Sequence, residues 1–169
     1  MQHAILYGEH ELTLDEKNRV LVPAEIRKSL DPERDGRAFF LVVGQNQRLW
    51  FYPENYYSHI VNQSQQDLTL DEDVLAFDQM HFARASRVEW DTQGRLVIPG
   101  KALRRTGLGE GDRDVTLIGV RDHLELWKRS DWDARETELA RRHSEIVAQR
   151  ARQARRGDAR SPATPANEE

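Results

Sequence analysis

The residues best placed to do chemistry in this sequence are cations at equivalent positions of two related turns. Arg19 follows the turn Asp15-Glu16-Lys17-Asn18, and Arg95 follows the turn Asp91-Thr92-Gln93-Gly94. Guanidinium groups form paired hydrogen bonds with phosphate oxygens and with the major-groove edge of guanine. The first turn carries a second cation, Lys17, which would strengthen a phosphate contact. The two turns therefore predict a repeated surface for binding an anionic partner.

Each arginine is positioned by the same local pattern. Asp15 and Asp91 open the turns, because a short Asp side chain bonds to the backbone two residues further on. Asn18 and Gly94 stand where a left-handed backbone is needed, which Gly adopts freely and Asn tolerates next best. Three aliphatic residues and a proline then follow, and this order predicts a short strand that ends at the proline. An arginine between such a turn and a buried strand projects from the rim of a domain.

The same arginines also have a purely structural interpretation. Arg19 and Arg95 each lie four residues after an Asp, so each can form an ion pair that holds its turn. An exposed arginine in a turn is commonly a solvated charge that adds little stability. One side chain can serve both purposes, and the sequence leaves the choice between them open.

Composition narrows the class of protein. The 169 residues suffice for one domain or for two small halves that share a core, and the absence of cysteine excludes disulfides, thiolate metal sites and cysteine nucleophiles. No apolar run approaches the roughly 20 residues needed to cross a bilayer. The histidines lack metal-ligand spacing, and the sequence shows no nucleophile elbow, phosphate-binding glycine loop or catalytic carboxylate pair. We therefore expect a cytoplasmic protein that is not an enzyme, with no metal, no cofactor, no small-molecule substrate and no membrane partner.

The charge is distributed unevenly along the chain. The net charge is −4, which is unusual for a nucleic-acid-binding domain. Residues 91–105, however, contain four cations and a single acid, whereas residues 68–78 are acidic. A local positive face on an acidic body would still attract an anion. The basic run from Arg141 to Arg156 has two interpretations that stay open: a second arm for DNA, or the solvated face of a helix.

The chain reads as two copies of one unit. The hairpin predicted over Ala38 to Tyr52 returns over Leu117 to Trp127, with a glycine at the matching turn. We predict a first repeat over residues 5–62, a linking helix over 63–84, a second repeat over 85–132, a helix over 133–156 and a disordered tail over 157–169. The four tryptophans are either core residues or stacking platforms, and their place beside aliphatic strands favours the core.

The doubled pattern D-x-x-[NG]-R followed by three aliphatics and a proline resembles the MraZ family of bacterial transcriptional regulators. Leu49-Trp50-Phe51-Tyr52-Pro53 and the stretch from Gly119 to Trp127 match the family as well, so the resemblance spans roughly His10 to Trp132. It implies an α+β, mostly β fold: tandem AbrB-like swapped-hairpin repeats that form one pseudo-twofold β-barrel with short flanking helices. It also implies a ring-shaped homo-oligomer.

The resemblance also implies a function. Lys17 and Arg19 would belong to the first DNA-binding loop and Arg95 to the second, with Asp15, Asn18, Asp91 and Gly94 forming the turns. The expected partner is double-stranded DNA with repeated operator boxes, and the expected role is a nucleoid-associated repressor of a division and cell-wall gene cluster that includes its own gene. Gln93 replaces the second lysine, so the first loop should contribute more. The alternative is a structural or partner-binding oligomeric AbrB-like module without DNA specificity.

Overall fold

The computed structural model describes residues 3–63 and 71–158, with side chains through Gln153. The chain divides into two compact units, Met1–Arg129 and Ser130–Glu169. The strands described in the first unit are β1 (Glu9–Thr13), β2 (Arg19–Leu21), β3 (Phe39–Val43), β4 (Leu49–Pro53), β5 (Ser86–Val88), β6 (Arg95–Val97), β7 (Asp114–Gly119) and β8 (Leu124–Lys128). Its helices are α1 (Ala24–Ser29), α2 (Glu54–Gln63), α3 (Glu72–Phe82) and α4 (Gly100–Thr106).

The strands confirm tandem swapped-hairpin repeats. Six of them form an antiparallel sheet in the order β1-β7-β8-β4-β3-β5, and β2 and β6 form a separate two-stranded ribbon. Exchanging the repeats maps β1 to β4 onto β5 to β8, and the sheet order then reads the same from its other end. The first strand of each repeat pairs with the third strand of the other. No ladder joins the edge strands β1 and β5 in the described residues, so closure into a barrel stays a prediction.

One face of this sheet builds the core. Side chains from the central strands, including Phe39, Phe51 and Leu124, are fully buried. The ribbon and the two short helices cover them with Val20, Leu96, Ile26, Ala102 and Leu103. Alternating burial along β4 follows from the period-two geometry of a strand, which sends successive side chains to opposite faces. The core therefore holds the ribbon in place from its inner side.

Prolines set the start of the short helices. Pro23 and Pro99 cap α1 and α4, because each ends a ribbon strand and has the φ value of a helix start. The C-terminal helix α5 covers Arg129–Asp158, so it begins earlier than predicted and includes Gly157 and Asp158, which were expected in the tail. Arg129 directly follows the last residue of β8, so no loop separates strand from helix. The rest of the predicted tail, residues 159–169, and residues 64–70 of the predicted linker lie outside the described residues.

Within residues 3–63 and 71–158, no helix is both long enough and apolar enough to span a membrane.

Candidate nucleic-acid interface

The two turns have the same hydrogen-bond pattern. Asp15 Oδ1 accepts the backbone N–H groups of Lys17 and Arg19, both at 2.9 Å. Asp91 Oδ1 accepts those of Gln93 and Arg95 at 2.9 and 3.0 Å. In each turn the Asp therefore fixes the backbone of the residue that opens the ribbon strand, as the Asx-turn chemistry of the sequence predicts.

The turns are also locked to each other across the repeats. Asn18 and Gly94 have φ values of +58° and +81°, so both adopt the left-handed conformation that the pattern predicts. The carbonyl of Asn18 accepts the N–H of Ile98 at 2.9 Å, and the carbonyl of Gly94 accepts the N–H of Val22 at 2.8 Å. Each turn is thereby held by the end of the other repeat's strand.

The structural ion pairs are present in both turns. Arg19 Nε donates to Asp15 Oδ2 at 2.6 Å, and Arg95 donates to Asp91 Oδ2 from Nε at 2.9 Å and from Nη2 at 2.7 Å. The Arg19 side chain is 25 % exposed and that of Arg95 is 29 % exposed. Within the described residues, the two terminal amino groups of Arg19 have no hydrogen-bond partner. The Asp thus holds the guanidinium in one place while leaving donors for a further contact.

The acids of these pairs stay ionised. Side-chain and backbone hydrogen bonds from Arg95 lower the pKa of Asp91 to about 2. Partial burial raises the pKa of Asp15, but the backbone and side-chain hydrogen bonds from Arg19 outweigh it, so that this pKa also lies below its ordinary value. Each arginine therefore keeps its carboxylate partner at neutral pH.

The outer face of the ribbon brings the two arginines together. In the β2–β6 register Arg19 faces Val97 and Leu21 faces Arg95, while Val20 and Leu96 point into the core. Leu21 and Val97 are 48 % and 54 % exposed. Diagonal neighbours on one face of such a pair lie about 7–8 Å apart at Cα. The outer face is therefore a small checkerboard of two guanidinium groups and two aliphatic side chains.

Further cations lie next to the ribbon in the chain. Lys17 is exposed at the tip of the first turn, whereas the equivalent Gln93 adds no charge to the second. Exposed cations without an ion pair in the described part of the chain continue into α1 and α4, namely Lys28, Lys101, Arg104 and Arg105. The ribbon and the helices that follow it are thus richer in positive charge than the acidic chain as a whole.

Two supporting residues were not identified as such from the sequence. Arg113, which precedes β7, donates from Nε to the carbonyl of Leu14 at 2.8 Å and from Nη2 to Asn18 Oδ1 at 3.0 Å, and it also contacts the carbonyl of Asp15. Arg27 donates from Nε to the carbonyl of Val22 at 3.1 Å. No local pattern marks Arg113, since the turn that it braces lies about 95 positions away in the chain. Leu103, which replaces Arg27 in the second repeat, is buried instead.

Two other kinds of site considered from the sequence, a metal site and tryptophan stacking platforms, were also examined among the described residues. They contain no group of three or more His, Asp or Glu side chains that could hold a metal ion. Trp127 is buried and donates to Glu125 at 2.7 Å, and the Trp90 ring packs 5.5 Å from that of Phe39. These two tryptophans are packing residues rather than exposed stacking platforms.

Comparison with known proteins supports the repeat and the resemblance. A family model described as "MraZ protein, putative antitoxin-like" matches residues 5–77 and again residues 81–155. The chain belongs to the MraZ family. The family prediction is therefore confirmed, and it was made from the doubled turn-strand pattern that now proves to build the ribbon.

Relatives in the MraZ family cover most of the chain. It is 34 % identical over 130 residues to "Transcriptional regulator MraZ" of Acetivibrio thermocellus, which is 77 % of this chain and 85 % of the relative. The proteins of the same name from Lachnoclostridium phytofermentans and Natranaerobius thermophilus are each 32 % identical, over 75 % of this chain and 84 % and 82 % of their own lengths. These relatives are named as regulators of transcription, which agrees with the prediction that the chain is not an enzyme.

Proposed function

We propose that this protein is a transcriptional regulator that binds double-stranded DNA through the outer face of the β2–β6 ribbon. The observation that carries the proposal is the pairing of Arg19 and Arg95 on one exposed face, each held by an Asp in an identical turn. The names of the MraZ relatives support the same function.

The chemistry of this face suits the major groove. The groove is wide enough to admit a two-stranded β-ribbon, arginine pairs with the O6 and N7 atoms of guanine, and aliphatic groups contact the thymine methyl. Arg19 and Arg95 would read bases, and Leu21 and Val97 would pack on methyl groups. Lys17 at the turn tip would contact phosphate. The diagonal spacing of the two arginines matches roughly two base steps.

One such face is a weak site, so assembly is part of the proposed mechanism. A homo-oligomeric ring presents several ribbons, and repeated operator boxes then gain affinity because each further contact is intramolecular. We accordingly propose a ring of this chain on direct repeats upstream of its own gene. The family resemblance supports a role as a nucleoid-associated repressor of a division and cell-wall gene cluster.

The test is a titration of labelled upstream DNA by fluorescence anisotropy. Arg19→Ala and Arg95→Ala are each expected to weaken binding by about 1–3 kcal/mol per turn and to relax sequence preference. Gln93→Lys should strengthen binding and increase the salt slope by about 1 per engaged turn, because it supplies the phosphate contact that the second turn lacks. Arg135→Ala removes an exposed cation of α5 and serves as the matched control.

Two results would count against the proposal. If the wild-type protein binds the upstream region no better than shuffled DNA, sequence-specific regulation is wrong. If both arginine variants fold normally and bind as the wild type does, the ribbon is not the reading surface.

A partner-binding module is the second candidate function. The exposed Leu21 and Val97, the net charge of −4 and the words "antitoxin-like" in the family description favour a protein contact at the same face. Salt separates the two candidates, because DNA binding weakens steeply as salt rises, whereas an apolar protein contact does not.

A further inference from the structure

Helix α3 carries large apolar side chains over one broad face yet has no buried residue. Its five large apolar side chains are between 44 % and 60 % exposed; they are Val74, Leu75, Phe77, Met80 and Phe82. The apolar stripe of a helix normally faces a core, and soluble monomers rarely expose a contiguous patch of this kind. Much of the α3 surface therefore lacks a partner within the described residues of the first compact unit.

The same surface is strongly acidic. The segment from Asp71 to Phe82 contains four acids and no lysine or arginine. Asp71 caps the helix by accepting the N–H of Asp73 at 3.0 Å, which explains one of the acids. Glu72 and Asp78 make no ion pair within the described residues. The α3 surface, defined as Asp71 to Phe82, is thus an apolar patch with uncompensated negative charge.

The distal part of α5 has the opposite character. Its exposed apolar residues are Ile146 and Val147, at 36 % and 53 %. Residues 141–153 contain four arginines and one glutamate. Arg141 and Arg142 lie 3.0 and 3.8 Å from Glu138, whereas Arg150 and Arg152 have no ion pair in the described residues. The distal α5 surface, defined as residues 141–153, is therefore basic and exposes apolar side chains, which suits an acidic partner.

We propose that the α3 surface of one copy binds the distal α5 surface of a second copy. The charges are complementary, and both surfaces carry apolar side chains that water contacts in the single chain. Where each copy uses its α3 surface on one neighbour and its α5 surface on another, the contact is head-to-tail, and such contacts close into rings when the rotation between neighbours permits. This inference rests on the homo-oligomer proposed above and names the surfaces that build it.

Charge reversal tests the pairing in the absence of DNA. Glu72→Arg with Asp78→Arg makes the α3 surface basic, and Arg150→Glu with Arg152→Glu makes the distal α5 surface acidic. By light scattering after size exclusion, each variant is expected to lose the wild-type mass and to run as a smaller species. An equimolar mixture of the two variants should regain that mass, because the reversed α3 surface of one fits the reversed α5 surface of the other.

Matched controls separate pairing from damage to the fold. Glu110→Arg and Arg135→Glu reverse exposed charges outside the two surfaces and should keep the wild-type mass. Cross-linking gives a second readout, because the chain contains no cysteine of its own. A mixture of Phe77→Cys and Val147→Cys proteins should form a disulfide-linked heterodimer, whereas Arg135→Cys mixed with Phe77→Cys should not.

Several outcomes overturn the inference. It is wrong if the wild-type protein is a monomer, if both reversed variants keep the wild-type mass, or if their mixture fails to reassemble and the cysteine pair fails to link. If Arg150→Glu with Arg152→Glu leaves the mass unchanged and weakens DNA binding, the distal α5 surface is a DNA arm instead. The proposed function is judged separately, since Arg19→Ala and Arg95→Ala proteins should assemble fully even where they no longer bind DNA.

Discussion

At the scale of single residues, the aspartate of each turn does two jobs. One oxygen of Asp91 holds the backbone N–H groups of the turn, and the other binds the guanidinium of Arg95. The structural and the functional interpretations of the arginine are therefore compatible. The ion pair fixes the position of the side chain, and a fixed guanidinium loses less conformational entropy when it binds a further acceptor.

The Asp91–Arg95 pair predicts a measurable titration. The lowered pKa of Asp91, about 2, depends first on the side-chain hydrogen bond from Arg95. In Arg95→Ala, the pKa of Asp91 should rise toward 3.8, its value without these contacts. The ion pair stabilises the fold fully at pH values above the pKa that Asp91 has in the unfolded chain. This stabilisation is lost as the pH falls through the lower pKa that Asp91 has in the folded protein.

The measurement is a carbon-detected NMR titration of the Asp91 carboxyl group between about pH 1.5 and 6. Burial raises the pKa of Asp35, but hydrogen bonds from Arg34, Asp31 and Ala4 outweigh it. Arg95→Ala removes none of these bonds, so Asp35 provides an internal reference that should not move. An Asp91 pKa unchanged by the substitution would show that the ion pair is not formed in solution.

At the scale of elements, the ribbon is too short to stand alone. Its strands have three residues each, and an isolated two-stranded pair is marginal even when longer. Val20 and Leu96 anchor it in the core, and the reciprocal bonds from Ile98 and Val22 close both ends. The turn conformations and the ribbon therefore stabilise one another.

Gly94→Ala tests this mutual dependence. The substituted residue would keep the φ of +81° that Gly94 has, and its Cβ would lie 2.6 Å from Arg27 Cζ. The left-handed backbone costs about 1 kcal/mol, and displacing Arg27 from the carbonyl of Val22 costs about 1 kcal/mol more. Denaturant unfolding should therefore show a loss of about 2 kcal/mol in the free energy of unfolding.

Gly107 supplies the matched control. Its φ is +68°, but a Cβ there would meet nothing within 4 Å, so Gly107→Ala should cost only the backbone strain. Adding Arg27→Ala to Gly94→Ala should recover part of the difference, because the clash disappears. If Gly94→Ala and Gly107→Ala lower the free energy of unfolding by equal amounts, Arg27 does not pack on the turn.

At the scale of the whole molecule, a buried charged network lies where the two repeats meet. Strand β4 of the first repeat pairs with β8 of the second, and His123 and Glu125 lie buried on the face opposite the core. His123 Nδ1 lies 2.7 Å from Asp122 Oδ1, and Nε2 lies 3.3 Å from Glu125 Oε1. Tyr56 donates to the second Asp122 oxygen at 2.9 Å. A single histidine thus lies between two carboxylates where the repeats meet.

This network predicts a pH-dependent stability. Burial lowers the pKa of His123, but hydrogen bonds to Glu125 and Asp122 outweigh it, so that the pKa lies above its ordinary value of 6.5. The resulting stability is fully present below about pH 6.5 and is lost as the pH rises through the folded pKa. The difference in melting temperature between wild type and His123→Gln should therefore shrink on going from about pH 6 to pH 9.

His143 lies exposed on α5 and makes no ion pair in the described residues, so His143→Gln is the control. Its melting-temperature difference from wild type should be small at every pH. A His123→Gln difference that does not change with pH would show that His123 is neutral in the folded protein.

Local patterns in the sequence determined much of the candidate site. Asp15 and Arg19, like Asp91 and Arg95, are close in sequence, so turn chemistry alone predicted the two turns and their left-handed residues. Two copies of the pattern also predicted the family. The division into domains and the DNA-binding roles of Lys17, Arg19 and Arg95 remain predictions.

Only the tertiary structure decided which residues far apart in the sequence contact each other. The register that places Arg19 and Arg95 on one face joins strands 76 positions apart, and no local preference specifies such a pairing. The bracing by Arg113 and the network at the β4–β8 join likewise depend on which residues the swapped hairpins bring together. Hydrogen bonds within a turn follow from a few adjacent residues. Contacts between the repeats form because they bury the whole hydrophobic core, and that core exists only in the folded chain.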